Sequence, residues 1–301
     1  MSFTTGTTLD GVIVVDKPRD WTSHDVVAKM RRIAGTKKIG HLGTLDPSAT
    51  GVLPLVIGRA TRLAQFYTRN DKLYEGIIEF GYSTDSYDAE GTPTSPKTEV
   101  TLDRETLEKV LDRFRGRFEQ TPPPVSAKKI AGRPAYELAR KNQPVELKPV
   151  PIEIFSLEVL SMAGCQAKVR VHCSGGTYVR SIAHDAGQAM GCGAFLRELR
   201  RMASGDFTIE QARSLEALET MSKESRLTEV LIPASRLLPH FPAETVDITT
   251  TAQIRNGRDF RVSPFVVRND ARYVKAVTTH GELVAIGEIR LPNLYHPVLV
   301  F

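Results

Sequence analysis

The segment from residue 40 to residue 51 limits the fold of this chain more than any other stretch. It reads GHLGTLDPSATG and is followed by the apolar run Val52 to Ile57. Glycines and a proline at these positions disfavour a regular helix, so the pattern predicts a tight loop that leads into a buried strand. Because Pro47 keeps the preceding residue out of the helical region, we expect Asp46 to hold its carboxylate out on the loop.

The residue types alone leave two interpretations of this loop open. In the first, Asp46 begins an Asx-Pro turn and His41 is a structural residue. In the second, the glycines allow a ligand to approach the backbone closely, and the carboxylate of Asp46 is a reactive group.

Apolar runs and periodic patterns predict that strands and helices alternate along the chain, which places it in the α/β (α+β) class. Gly11 to Pro18 predicts a buried strand, and period-two alternation from Lys72 to Tyr82 predicts another, with Tyr74 on its apolar face. The remaining predicted elements are a helix from residue 22 to 35, a short amphipathic helix at 60–67, a surface helix at 107–114, a hairpin of 153–160 with 166–173, and a helix that starts near 179.

Charged residues mark two of these elements. Arg180 lies in the first turn of the helix that follows the glycines at 175–176. A cation there opposes the helix dipole, so we expect Arg180 to have an anionic partner. The acids between Thr84 and Gly91, among them Asp85 and Asp88, invite a metal, but without a further ligand nearby they predict a solvated turn and no metal site.

Composition predicts an ordinary globular protein with a polyanionic partner. The 301 residues are 41% hydrophobic and 25% charged, with three cysteines that form no C-x-x-C pair. No apolar run approaches the roughly 20 residues that span a bilayer, and we expect a cytoplasmic protein. Residues 121–150 carry +4 of the net charge of +5. This segment predicts contacts to nucleic-acid phosphates through Lys128, Lys129, Arg133, Arg140 and Lys141, although a solvated loop would have the same composition.

The pattern changes near residue 239, which divides the chain into a larger unit, 1–238, and a smaller one, 239–301. Beyond it the sequence predicts short strands at Phe265 to Val267, Tyr273 to Thr278 and Leu283 to Ile289. About 60 residues are too few for a large core and indicate a small β-rich module.

Three separated motifs resemble the TruB-type tRNA pseudouridine synthases. They are GHLGTLDPSATG at 40–51, CSGGTYVR at 173–180 and FLRELRR at 195–201, and the short segment KLY at 72–74 is also similar to a motif of this family. The resemblance implies a pseudouridine synthase fold, with a mixed, largely antiparallel central sheet flanked by helices and loops. It also implies that the segment 121–150 closes over the RNA and that 239–301 is a PUA-like RNA-binding domain.

The resemblance implies a role for each matching residue. Asp46 would be the nucleophile, held ionised and oriented by a bidentate pair with Arg180. Tyr74 would stack on the target base and is a candidate for proton transfer at C5. The remaining uridine contacts would come from His41, Tyr178 and Leu199, while Lys17 and Pro18 would be structural.

The implied reaction is isomerisation of uridine 55 in the TΨC loop of tRNA, with base flipping and with neither a cofactor nor a metal. We expect a monomer that needs no obligate protein partner. Two alternatives remain open: a non-catalytic RNA-binding protein, for which Asp46 is dispensable, and a carboxylate hydrolase of a glycosidic bond, for which Asp85 or Asp88 would be the second acid.

Overall fold

The computed structural model describes residues 9–124, 129–130, 133–134, 148–265 and 271–301. The strands are β1 Gly11–Lys17, β2 Ile39–His41, β3 Thr50–Ile57, β4 Lys72–Phe80, β5 Gly116–Gln120, β6 Lys129–Ile130, β7 Arg133–Pro134, β8 Val150–Ala163, β9 Gln166–Cys173, β10 Ala194–Ser204, β11 Phe207–Thr208, β12 Ile232–Pro233, β13 Ala243–Val246, β14 Phe260–Arg261, β15 Tyr273–Thr278, β16 Leu283–Leu291 and β17 Leu294–Val300. The helices are α1 Ser23–Ile33, α2 Arg104–Leu111, α3 Val179–Ala189, α4 Leu215–Lys223 and α5 Ile248–Arg255. The 3₁₀ helices span Gly58–Phe66, Asp112–Phe114, Ile209–Gln211, Leu227–Glu229 and Ala234–Arg236.

A large twisted sheet forms the centre of the molecule. Its order is β12-β1-β3-β10-β4-β9-β8-β5, with β2 paired to β3 and β11 paired to β10. Among the pairs of described strands in this sheet, β3 with β10 is the parallel one, and the others are antiparallel. The prediction of a mixed, largely antiparallel central sheet is therefore confirmed.

The strands β1 and β3 are buried on both faces, which explains their continuous apolar sequences. In β3, Leu53 and Leu55 face the main core beneath the helices, whereas Val52 and Val56 face the C-terminal part of the chain. Each fully buried side chain of this kind contributes about 1.5–3 kcal/mol through loss of apolar surface from water. The loop at 40–51 is thus attached to the most deeply buried strand of the sheet.

Local sequence signals set the ends of the helices. A capping box joins Thr22 and Asp25 at the start of α1, and Asp103 caps α2. The predicted amphipathic helix at 60–67 is instead a 3₁₀ helix over Gly58–Phe66, with Ala60 and Leu63 buried. Apolar spacing identified the buried face there, but it does not distinguish a 3₁₀ from an α-helix over so few turns.

The C-terminal region forms a second sheet of order β13-β15-β16-β17-β14. The predicted strands at 273–278 and 283–289 are present. Phe265 lies in a turn with 99% of its surface exposed, so the strand predicted at 265–267 is wrong at its first residue, and residues 266–267 lie outside the described part of the chain. This sheet packs on the central one through Leu283, Ile286 and Leu299, and the Lys275 Nζ donates to the carbonyls of Ser235 and Leu237. The boundary at 238/239 and the PUA-like assignment stay predictions.

The basic segment is described only in part. Lys128, Arg140 and Lys141 lie outside the described residues, and for Lys129 and Arg133 the structure gives the backbone of a two-residue antiparallel pair, β6 with β7. In the described part of the chain, no helix is long and apolar enough to cross a membrane.

Candidate active site

One cavity of about 570 Å³ opens between the loop 42–49, β4, the turn before α3, and β10. The chain thereby brings together side chains that are far apart in sequence. The six residues predicted to act in catalysis or to contact the uridine all line this cavity. They are His41, Asp46, Tyr74, Tyr178, Arg180 and Leu199.

An ion pair between Asp46 and Arg180 lies in the wall of the cavity. The Arg180 Nη2 is 2.9 Å from the Asp46 Oδ2, and the side chains are 6% and 37% exposed, respectively. Arg180 is placed by the start of α3, where the Gln120 side chain accepts from the backbone N–H of Tyr178 and donates to its carbonyl. The expected anionic partner is therefore present, and the carboxylate of Asp46 is held while still partly open to the cavity.

Arg180 is shared between two carboxylates rather than committed to one. Its Nη1 is 3.2 Å from the Asp88 Oδ2 and donates to the carbonyl of Ser86 at 3.1 Å. The bidentate pair expected for Asp46 alone is therefore not the arrangement seen. The guanidinium instead connects the loop that carries Asp46 to the acidic loop at 84–91.

The prediction that the acidic loop is a solvated turn is wrong for Asp88. Asp88 is buried at 8% exposure, and its Oδ1 accepts from the Ser86 hydroxyl at 2.5 Å. Asp85 is exposed and accepts from the backbone N–H of Thr92. Burial of a carboxylate requires a cation or hydrogen-bond donors, and Arg180 supplies the cation. Among the described residues, no group of three or more His, Cys, Asp or Glu side chains is placed to hold a metal.

His41 lies at the edge of the cavity, in β2 rather than in the loop where the sequence pattern placed it. Its Nδ1 accepts from the backbone N–H of Gly43 at 3.4 Å, and its ring meets that of His24 edge to face at 5.6 Å between centroids. Burial, the nearby His24 and the cation of Arg201 lower the pKa of His41 below its ordinary value. The neutral imidazole with a proton on Nε2 is therefore the form that the site favours.

Tyr74 lies in β4 on the face that Ile78 shares, and it is 8% exposed. Burial raises the pKa of its phenol above the ordinary value, and the nearby Arg201 opposes that shift only in part. Tyr74 is consequently a neutral phenol at physiological pH. It can stack and donate a hydrogen bond, but it is a poor proton acceptor.

Sequence reasoning missed three buried groups at the site, namely Asp88, Lys72 and Arg201. Lys72 lines the cavity two residues before Tyr74, its Nζ donates to the carbonyl of Asn70, and burial lowers its pKa to about 8. Arg201 lines the same cavity and is 1% exposed. Both lie within matched motifs, so the available signal was a charged residue on the buried face of a strand.

The structural role expected for Lys17 has a definite form. Its side chain is fully buried, and its Nζ donates to the carbonyls of Pro18, Trp21 and Pro47 at 2.8, 2.6 and 3.0 Å. Ser23 adds two contacts, because its hydroxyl accepts from the backbone N–H of Leu45 and donates to the carbonyl of the same residue. The backbone on both sides of Asp46 is thereby fixed.

Two protein-family models match this chain. The TruB family pseudouridylate synthase (N terminal domain) covers residues 31–179, and the tRNA pseudouridylate synthase B C-terminal domain covers residues 180–239. Among similar proteins, the tRNA pseudouridine synthase B of Solibacter usitatus is 64% identical over 292 residues, which are 97% of this chain and 100% of that protein. The tRNA pseudouridine synthase B of Aquifex aeolicus is 39% identical over 284 residues, 94% of this chain and 96% of that one.

Solved structures show the same fold. The chain superimposes with a TM-score of 0.71 on a protein from a Cbf5-Nop10-Gar1 complex, at 28% identity and covering 95% of this chain and 80% of that one. The TM-score is 0.73 for a chain from an H/ACA RNP bound to a substrate RNA containing 2'-deoxyuridine, at 25% identity and covering 98% and 86%. Sequence and fold together define a pseudouridine synthase, an isomerase that converts uridine to pseudouridine. The chain belongs to the TruB family of these enzymes.

Proposed function

We propose that this chain isomerises uridine 55 in the TΨC loop of tRNA, with Asp46 as the nucleophile. The observation that carries the proposal is the ion pair of 2.9 Å between Asp46 and Arg180 in the wall of an open cavity. A carboxylate paired with a buried guanidinium, yet partly accessible, is suited to attack an electrophilic carbon. The similar proteins are named for tRNA, which supports tRNA as the substrate.

The target uridine would enter the cavity by flipping out of the RNA loop. Flipping costs a few kcal/mol of unstacking, and stacking on aromatic side chains offsets it at about 1–3 kcal/mol per base. Tyr74 and Tyr178 are the aromatic residues of the cavity that would supply this stacking, and Leu199 would close the apolar side. His41, at the cavity edge, would fill the space that the base leaves or steady the loop.

The reaction breaks one bond to C1′ and forms another. The Asp46 carboxylate attacks either C6 of the base or C1′ of the ribose, the N1–C1′ bond breaks, and the base rotates. A bond between C5 and C1′ then forms, the Asp46 carboxylate is released, the C5 proton leaves to a base, and N1 takes up a proton from solvent, so that the product is an isomer of the substrate. Tyr74 is a neutral phenol with a raised pKa and is therefore a poor acceptor, so we assign the proton to water.

The proposal includes a division of labour along the chain. Residues 1–238 would form the catalytic domain, and basic residues of 121–150, with Lys128, Lys129, Arg133, Arg140 and Lys141, would contact the RNA backbone. Residues 239–301 would be a PUA-like RNA-binding domain. The protein would act in the cytoplasm as a monomer, without an obligate protein partner and without a cofactor.

A tritium-release assay tests the proposal. A tRNA transcript labelled with [5-³H]uridine is incubated with wild type, Asp46→Asn and Asp85→Asn, and tRNA binding is measured in parallel. We expect release by wild type and by Asp85→Asn, whose carboxylate is exposed and away from Arg180, but none by Asp46→Asn with binding retained.

Nucleoside analysis of the product separates the two alternatives. Binding without release in every protein would leave a non-catalytic RNA-binding protein. Free uracil with an abasic site in place of pseudouridine would identify a glycosidic-bond hydrolase. Either result would overturn the proposed reaction.

A further inference from the structure

Arg201 is a buried cation at the candidate active site, and within the described residues it forms no ion pair with a carboxylate. Its side chain lies at 1% exposure in the wall of the cavity that holds Asp46, and no carboxylate of the described residues lies within ion-pair distance of it. A desolvated guanidinium without an anionic partner is costly in free energy.

The guanidinium bonds instead to three backbone carbonyls. Its Nε donates to Val52 at 2.7 Å, its Nη1 to Thr44 at 3.3 Å, and its Nη2 to Gly43 at 3.1 Å. Gly43 and Thr44 precede Asp46, and Val52 follows it. One side chain therefore joins the two ends of the loop that carries the nucleophile.

The backbone geometry of β3 and β10 explains how Arg201 reaches this position. The two strands are parallel neighbours here, with Arg201 opposite Gly51. Gly51 has a φ of +99°, and a Cβ on it would lie 2.3 Å from the carbonyl oxygen of Arg201. Glycine at this position is therefore what lets β10 approach closely enough for the side chain to cross the loop.

Arg201 also lies next to the residue that would stack on the base. It is directly opposite Tyr74 in the antiparallel pair of β10 with β4, and both residues line the cavity. Arg201 is therefore a cross-strand neighbour of the proposed stacking residue as well as a hydrogen-bond donor to the loop that carries Asp46.

We propose that Arg201 is a positioning residue for pseudouridine formation: it fixes the loop from Gly43 to Val52 so that the Asp46 carboxylate is aligned with a uridine stacked on Tyr74. Lys17 fixes the middle of the same loop, because its Nζ donates to the carbonyl of Pro47, the residue after Asp46. This inference rests on the proposed function. It goes beyond it because Arg201 touches neither the Asp46 carboxylate nor the reacting atoms.

Single-turnover tritium release with Arg201→Lys and Arg201→Ala tests the inference, with tRNA binding and thermal unfolding measured on the same preparations. Arg197→Ala is the matched control, because Arg197 is another arginine on β10 but is 47% exposed and pairs with Glu79, outside the cavity. We expect the rate of Arg201→Lys to fall about 100-fold, the typical effect of a misplaced catalytic group, while tRNA binds within about threefold of wild type. Guanidinium ion added to Arg201→Ala should restore part of the rate, and it should leave the rate of Arg197→Ala unchanged.

Each outcome decides the matter. A folded Arg201→Lys with near-wild-type rate would overturn the inference, and so would failure of both Arg201 variants to fold, because the residue would then act on stability alone. A rate that falls only as tRNA binding falls would assign Arg201 to substrate binding and overturn it as well. Absence of release by wild type would instead refute the proposed function itself.

Discussion

Replacement of Arg180 by lysine separates the charge of this residue from its geometry. Lysine keeps the positive charge, but its ammonium is a single point and cannot reproduce the planar fork of the guanidinium. Arg180 uses this fork to contact Asp46 at 2.9 Å and Asp88 at 3.2 Å at once. We therefore expect Arg180→Lys to retain one carboxylate contact and lose the other.

The size of the effect follows from the lost contact. A hydrogen bond to a charged group is worth about 1.5–3 kcal/mol, and Asp88 at 8% exposure has little access to water that could replace it. If the ammonium stays with buried Asp88, Asp46 loses its orienting partner, and the rate of the chemical step falls by about 10- to 150-fold. Single-turnover tritium release at saturating enzyme measures this rate directly.

Arg197→Lys is the control for this substitution. Arg197 lies on β10, is 47% exposed and pairs with Glu79 of β4, outside the cavity, so its replacement should leave the rate within about twofold. A folded Arg180→Lys protein that reacts within about threefold of wild type would refute the argument that the fork orients Asp46. Equal losses in both variants would refute it too, because they would show that the assay reports general damage.

Three further predictions concern other residues of the site. Gly51→Ala should lower the free energy of unfolding by about 1–3 kcal/mol in urea titrations, because φ is positive there and the new Cβ would meet the carbonyl of Arg201. Gly40→Ala is the control, since a Cβ there would have Val56 Cγ2 as its nearest atom at 3.6 Å, and it should cost less than half as much. Tyr74→Phe should slow tritium release by less than about 20-fold, since the stacking ring remains, whereas loss of a general base would cost about 10²–10⁴-fold. Burial lowers the pKa of Lys72 to about 8 from 10.5, so between these pH values the unfolded chain binds more protons than the folded protein. The free energy of unfolding should therefore rise with pH over this range. Lys72→Met should reduce that rise.

The sequence was sufficient for elements whose signal is local. Continuous β-branched runs predicted β1 and β3, and period-two alternation predicted β4 with Tyr74 on its buried face. These signals work because burial on one or two faces of a sheet dictates residue type position by position. The loop at 40–51 was also predictable, except that β2 extends through His41 into it.

Elements that depend on distant parts of the chain escaped prediction. The strand Leu294–Val300 has no counterpart among the predicted strands. Its Pro297 is unfavourable within a sheet, yet it lies opposite Gly287 next to a register shift, where a proline is tolerated. The sequence predicts a solvated carboxylate at Asp88, because the neighbouring residues do not reveal its ion-pair partner Arg180, which is 92 residues away. Burial of a charge is a property of the tertiary partner rather than of the local pattern.

The arrangement of charges explains why the proposed nucleophile, Asp46, lies on an irregular loop. Lys17 and Arg201 are both buried next to this loop, and their hydrogen bonds go to the carbonyls of Pro47, Gly43, Thr44 and Val52. A helix would have consumed carbonyls of this kind in its own hydrogen bonds. Because the loop leaves these carbonyls free, they accept hydrogen bonds from Lys17 and Arg201. The two buried cations therefore need no further carboxylates beside Asp46 as partners. Asp46 consequently has Arg180 as its direct ion-pair partner among the described residues, and it keeps one side open to the cavity where the uridine would bind.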